Sequence, residues 1–341
     1  MTIKKFIFSV ITLGFIALIS CEEEVDNRES DELIRLEAYM NIHYPDVEPT
    51  ASGLYYIPIS EGDGASPEAG NYLLFEITGQ NLDGDVFETT IEHTAYLHDI
   101  ISPKTRYAPK FRKFKDEEDP IIEGLSEGFS YMHEGDSVRL IMPSSLAYGS
   151  TRYQGLKPFS SVIYDVKLKR IITNPEAYEQ ELITNYINEN YPLEPSEYLQ
   201  NGIYLLEGPT ASNHQKEDEE NTEPQPIVDG DKVSLYYTGS LVDSWIFDTN
   251  DMEVAQENNI YESDNDYAPL SVTVGEEGFI EGFSLALEIL QTHSTAKVII
   301  PSEYGYGEEG TETIPPYSPL IFDLEILSKS DSDDSGDEPE E

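Results

Sequence analysis

Apolar and polar positions alternate along most of this chain, and stretches with helical spacing break the alternation at regular places. Segment 232–239 sets Val233, Leu235 and Tyr237 on one side, the period-two pattern of a half-buried strand. Segments 296–301 and 320–327 read as further strands, and 282–290 between them has helical spacing, with Phe283, Leu287 and Leu290 on one face. Upstream, 31–42 predicts a helix carrying Leu33, Leu36 and Met40 on one face, and 181–188 repeats that pattern. These helices end at Tyr44-Pro45 and Tyr191-Pro192, where proline cannot continue them. A turn and a short strand follow each, Gly53-Leu-Tyr-Tyr-Ile57 and Gly202-Ile-Tyr-Leu-Leu206. Curved strands with one short helix laid on them, plus a leading helix and strand, predict an α+β fold.

The pattern occurs twice. Phe87 follows Gly79 at the interval at which Phe247 follows Gly239; Tyr148 follows Ile122 as Tyr306 follows Ile280; Tyr164 follows Tyr148 as Phe322 follows Tyr306. Only the stretch between the Phe and the Ile changes length. Three intervals kept together with residue character predict a duplicated domain, with units at 31–172 and 173–328.

The N-terminus changes the picture of where the protein resides. Lys4 and Lys5 precede an apolar run over 6–19, too short to span a bilayer comfortably, and Leu18-Ile19-Ser20-Cys21 follows. Residues 1–20 therefore read as a signal peptide, and 21–30 as a tether. Cys21 is the only cysteine, so an intrachain disulfide is impossible. The formal charge of −47 repels phosphate backbones and argues against nucleic-acid partners. Segment 218–222 reads as a solvated loop and 329–341 as an acidic disordered tail. The six histidines, His43, His93, His98, His133, His214 and His293, lack metal-ligand spacing. Asp331-x-Asp333-x-Ser335-Gly336 opens like a calcium loop, but its twelfth position would fall beyond Glu341. No metal or cofactor is expected.

In the second copy, Tyr237-Thr-Gly239, Ile246-Phe-Asp248, Phe279-Ile-Glu-Gly282, Ile300-Pro-Ser-Glu-Tyr-Gly-Tyr-Gly307 and Ile314-Pro-Pro316 stand in the order of the FKBP-type peptidyl-prolyl cis-trans isomerase family, which this copy closely resembles. The first copy resembles the same family through Ile77-Thr-Gly79, Phe87, Ile121-Ile-Glu-Gly124, Met142-Pro-Ser-Ser-Leu-Ala-Tyr-Gly149 and Val162-Ile-Tyr164. The resemblance implies two tandem FKBP-like domains, each an antiparallel curved sheet wrapped on one short helix. The cysteine context resembles a bacterial lipobox, implying cleavage before Cys21 and a lipid on its sulfur. The leading helix and strand resemble lipid-anchored members from Bacteroidetes-type bacteria. An outer-membrane location in the cell envelope follows, on its periplasmic or surface face, with proline-containing unfolded or extended polypeptides as clients.

Carried onto this chain, the family's catalytic positions fall on Tyr237, Phe247, Asp248, Ile280, Tyr306 and Phe322, and its substrate-binding positions on Leu270, Phe279, Phe283 and Ile314. Leu270 stands where an aromatic is usual, and Phe283 where Trp is most frequent. In the first copy the corresponding set is Ile77, Phe87, Glu88, Ile121, Ile122, Leu125, Tyr148 and Tyr164. There Ile77 replaces Tyr, Glu88 replaces Asp and Leu125 replaces the aromatic floor, so a degraded pocket is expected, with activity mainly in the second domain. Each residue also has a plainer reading: Phe247, Phe283 and Phe322 would be core in any sheet-on-helix fold, and Tyr237 a strand residue with a satisfied hydroxyl. The rival to an isomerase is a noncatalytic client-binding or assembly lipoprotein.

Overall fold

The computed structural model describes residues 27–118, 120–211 and 223–330. Residues 1–20 (read as a signal peptide), Cys21, the segment 218–222 and the stretch beyond Ser330 lie outside these residues. Domain 1 runs α1 (Arg28–His43), β1 (Tyr55–Ser60), β2 (Tyr72–Asn81), β3 (Val86–Thr89), α2 (Glu92–Leu97), β4 (Lys110–Lys113), α3 (Glu123–Ser130), β5 (Ser137–Met142) and β6 (Val162–Ile172). Domain 2 repeats the order, with one extra turn of helix and a two-residue strand: α4 (Pro175–Asn190), α5 (Pro195–Tyr198), β7 (Leu199–Gln200), β8 (Ile203–Ala211), β9 (Lys232–Ser240), β10 (Ile246–Thr249), α6 (Met252–Glu257), β11 (Leu270–Thr273), α7 (Glu281–Glu288), β12 (Ser294–Ile300) and β13 (Leu320–Ser330). Helix α1 begins inside the stretch read as tether, and β13 continues to Ser330, two residues into the stretch read as tail.

Both sheets are antiparallel. Their strand orders are β1-β5-β6-β2-β3 with β4 on β2, and β10-β9-β13-β12-β8-β7 with β11 on β9. The short helices α3 and α7 fill the hollow of each sheet. Phe129 of α3 packs with Phe75, Leu140 and Leu168, and Phe283 and Leu287 of α7 pack with Leu235, Val298 and Leu324. The central strands are apolar on both faces, and the reason is the leading helix. Leu36 and Met40 of α1 cover Ile141 and Ile163 on the back of the first sheet, and Ile183 and Ile187 of α4 cover Ile299 and Ile321 on the second. Asn174 caps α4 by accepting from the Ala177 amide at 2.8 Å, with Pro175 in the first turn.

The stripe predicted on α1 holds at Leu36 and Met40 and differs at its head. Leu33 is 48% exposed, and the buried stripe is Glu32, Leu36 and Met40. Helix α4 buries the matching set Glu179, Ile183 and Ile187. A carboxylate heads each stripe because it has a built partner. Glu32 accepts from the Ser144 amide and hydroxyl at 2.6 Å each and from the Ser161 hydroxyl at 2.7 Å. Glu179 accepts from the Ser302 amide at 2.5 Å and hydroxyl at 2.7 Å.

The domains meet along an aromatic seam. Phe111 stacks on Tyr178 at 5.4 Å, and Tyr72 meets Tyr317 edge-on at 5.5 Å. Arg106 pairs with Asp243 at 2.8 Å, and Lys104 with Glu262.

Candidate functional site

A glycine sets the geometry of each pocket. Gly239 on β9 lies opposite Asp248 on β10 and opposite Phe322 on β13. A β-carbon there would come within 2.5 Å of the Phe247 ring and 3.0 Å of the Phe322 ring, so only glycine lets both rings close over the strand. Gly79 does the same in domain 1, between Phe87 and Tyr164. The Gly-to-Phe interval is thus the length of a hairpin that folds an aromatic ring back onto its own glycine.

Above this bracket domain 2 builds an apolar cup. Phe247 meets Phe322 edge-on at 5.8 Å, and Phe283 meets Phe322 at 5.3 Å and Tyr237 at 6.1 Å. Phe283 and Phe322 form a floor only 4% and 5% exposed, whereas Phe279 and Tyr306 on the rim are 43% and 38% exposed. Phe279 stacks on Phe283 at 6.0 Å, joining rim to floor. Leu270, Ile280 and Phe247 are partly buried against the core, and Ile314 is fully buried within it.

Polar groups sit at one side of the cup. The Tyr237 hydroxyl donates to Asp248 at 2.6 Å. Burial pushes the Tyr237 hydroxyl above the ordinary tyrosine range, and its bond to Asp248 adds to the shift. The Tyr306 hydroxyl is raised by burial and by the same carboxylate, which places it within the field of Asp248. Ile280 is the N-cap of α7; no side chain caps that helix, and the Phe283 amide turns back onto the Ile280 carbonyl at 3.0 Å. The cup therefore offers an apolar receptacle with hydrogen-bond donors at its edge and no nucleophile. Of the positions inferred for domain 2, Tyr237, Phe247, Asp248, Phe279, Phe283 and Phe322 are joined by ring contacts and the Tyr237–Asp248 bond. Leu270, Ile280 and Ile314 belong to the core they pack on.

Domain 1 keeps the bracket and fills the cup. Ile77, Phe87, Leu125 and Tyr164 are all buried, and Ile121, Ile122 and Tyr148 pack against them. Tyr153, which sequence reasoning missed, stacks on Tyr148 at 3.9 Å and meets Phe87 edge-on at 6.1 Å. The Tyr164 hydroxyl donates to Glu88, and the Tyr148 hydroxyl lies 2.7 Å from that of Tyr164 and 3.2 Å from the same carboxylate. Lys110, also missed, reaches Glu88 at 2.8 Å. It occupies the place of Leu270: Lys110 pairs with Phe75 on β2, as Leu270 pairs with Leu235 on β9. Where domain 2 sets Leu270 and the Tyr237–Asp248 pair, domain 1 sets a Lys110–Glu88–Tyr164–Tyr148 network. Loop position alone carries Tyr153; Lys110 follows Phe87 at the interval at which Leu270 follows Phe247, and that spacing was the signal that could have found it.

Comparison with known proteins identifies the family. The family model described as FKBP-type peptidyl-prolyl cis-trans isomerase matches residues 64–169 and 223–327. The chain is 27% identical to the Escherichia coli K12 FKBP-type peptidyl-prolyl cis-trans isomerase FkpA over 132 residues, covering 38% of this chain and 42% of that protein. It is 23% identical to the mouse peptidyl-prolyl cis-trans isomerase FKBP10 over 265 residues, 77% of this chain and 35% of the relative. The chain thus spans less than half the length of these curated relatives. Among solved structures, E. coli FkpA aligns with a TM-score of 0.34 at 23% identity, over 43% of this chain and 60% of that one. The three FKBP domains of wheat FKBP73 align over 82% of this chain and 96% of theirs, with a TM-score of 0.27 at 18% identity. With both copies matched and both glycine brackets in place, the chain belongs to the FKBP-type peptidyl-prolyl cis-trans isomerase family.

Proposed function

We propose that this protein catalyses cis/trans isomerisation of X–Pro bonds in domain 2, and that domain 1 is catalytically silent. The contrast between the two cups carries this reading: one is apolar, rimmed by exposed Phe279 and Tyr306, and the other is filled by Glu88, Lys110, Tyr148 and Tyr153. The amide bond rotates over a barrier of ~18–20 kcal/mol because of its partial double-bond character. The planar amide is more dipolar than the twisted one. An apolar cup solvates the planar form poorly and loses less as the bond turns, and each ~1.4 kcal/mol of that difference gives a tenfold rate. Phe247, Phe283 and Phe322 hold the prolyl ring. The Tyr306 hydroxyl and the Ile280 amide hold substrate carbonyls, and Asp248 fixes Tyr237. The filled cup of domain 1 argues against a noncatalytic reading in which both clefts clamp clients.

The substrates are proline-containing unfolded or extended polypeptides of the bacterial cell envelope, with the protein held at the membrane by a lipid on Cys21. The apolar run and cysteine at the N-terminus support this placement. Loss of lipid labelling in Cys21→Ser tests the anchor. Isomerisation of a proline peptide by the full chain, measured by NMR exchange, tests the chemistry. Phe247→Ala should abolish most of the rate and Leu125→Ala leave it intact; no acceleration over buffer at micromolar protein refutes the proposal.

A further inference from the structure

Ser302 is the hub of the segment that carries Tyr306. Its carbonyl accepts from the Gly305 amide at 2.9 Å and the Gly307 amide at 2.8 Å, so the two residues flanking Tyr306 hang from one oxygen. Ser302 is itself 4% exposed, and its amide and hydroxyl both end on the Glu179 carboxylate at 2.5 and 2.7 Å. Glu179 is 7% exposed and sits on α4, outside the 223–327 segment matched to the family. The arrangement is built twice: in domain 1 the Ser144 carbonyl accepts from Ala147 at 2.9 Å and Gly149 at 2.8 Å, on either side of Tyr148, and Ser144 ends on Glu32. A buried carboxylate is costly unless its bonds are made. Each leading helix therefore brings its glutamate to one destination, the root of the tyrosine loop.

We propose that Glu179 is a positioning residue for isomerisation: from the leading helix it holds Ser302, and through Ser302 it fixes the Tyr306 hydroxyl over the cup. This rests on the isomerase reading of domain 2. The leading helix then acts as part of the catalytic apparatus as well as a cover for the back of the sheet. Glu32 performs the same mechanical task in domain 1, beside a pocket that is closed.

The test uses the full chain. Glu179→Ala should lower kcat/KM by roughly ten- to hundredfold, the range a misplaced catalytic group produces. Tyr306→Phe added to it should then cost less than twofold, because a hydroxyl no longer held in place has little left to lose. Glu179→Gln keeps an acceptor for the Ser302 amide and should recover most of the rate. Hydrogen exchange at Gly305 and Gly307 should quicken at least tenfold in Glu179→Ala. Glu32→Ala, the internal control, should quicken Ala147 and Gly149 and leave isomerisation within twofold of wild type. If Tyr306→Phe costs as much with Glu179→Ala as without it, the positioning role is overturned; unchanged exchange at Gly305 and Gly307 overturns the clamp. Should Glu179→Ala fail to fold, Ser302→Ala removes the hydroxyl bond alone and should show the same non-additivity with Tyr306→Phe at a smaller loss; full additivity there overturns the role as well. A wild-type chain without isomerisation refutes the functional reading, and the exchange data still decide the clamp.

Discussion

Glu88→Ala tests whether domain 1 is closed by chemistry rather than by crowding. Three groups end on the Glu88 carboxylate: Lys110, Tyr148 and Tyr164. They do not contribute equally. The Lys110 side chain is 40% exposed and can turn to water, so its pair is worth roughly 0–1 kcal/mol. Tyr148 and Tyr164 lie 2.7 Å apart and can still bond each other, so removing the acceptor strands one hydroxyl proton, not two. A stranded buried donor costs about 1–3 kcal/mol. The expected loss is therefore about 1–4 kcal/mol, most of it from the stranded hydroxyl. Urea denaturation followed by far-UV circular dichroism would show this as a lower midpoint. Trp245 is the only tryptophan and belongs to domain 2, so its fluorescence transition should stay in place, as should isomerisation. A shift below about 0.5 kcal/mol would mean that the tyrosine hydroxyls reach water and the pocket is open. Loss of isomerisation would place the chemistry in domain 1.

Three further outcomes follow from the same geometry. Gly239→Ala should cost about 1–3 kcal/mol and most of the activity, because the new methyl meets the Phe247 ring, and Gly79→Ala should cost a similar stability without activity; thermal melts and peptide assays check both. Tyr237→Phe should weaken domain 2 by about 0.5–1.5 kcal/mol through the lost bond to Asp248, and a chevron or urea series would show it. Burial first, and then Glu88, hold the Tyr164 and Tyr148 hydroxyls far above the usual tyrosine range. The unfolded chain therefore ionises first: this stability is complete below about pH 10 and is lost as pH rises beyond it. Absorbance of tyrosinate at 295 nm should climb together with the loss of circular dichroism, and ionisation of every tyrosine in the still-folded protein would refute the network.

How much of this was legible in the sequence follows the range of each interaction. The frame was readable because its signals are local: a glycine and the ring that closes on it share one hairpin, and Tyr237 and Asp248 lie across the same turn. Substitution of Tyr by Ile77 and of the floor aromatic by Leu125 pointed to a changed first pocket. What replaces the lost features was not readable. Lys110 follows Phe87 at the interval at which Leu270 follows Phe247, so the aligned copies pair the two, but nothing local shows that the ammonium closes on Glu88. Glu32 and Glu179 were hidden for another reason. A glutamate on an amphipathic helix ordinarily faces water, and the serines that justify its burial lie 112 and 123 residues away. Once Glu32 is taken as polar surface, the apolar stripe drifts to Leu33, since neighbouring residues differ by about 100° around a helix.

Strand β4 has a consequence for anyone redesigning this protein. Lys110 closes the first pocket, and Phe111, the next residue, stacks across the seam on Tyr178. Successive side chains of a strand face opposite ways. Two functions are thus written on adjacent letters yet mechanically insulated from each other. Lys110→Leu should remove the ion pair with Glu88 while the partner domain stays docked, and Phe111→Ala should loosen the docking while that pair stays in place. The duplication carries separate handles for chemistry and for assembly within four residues.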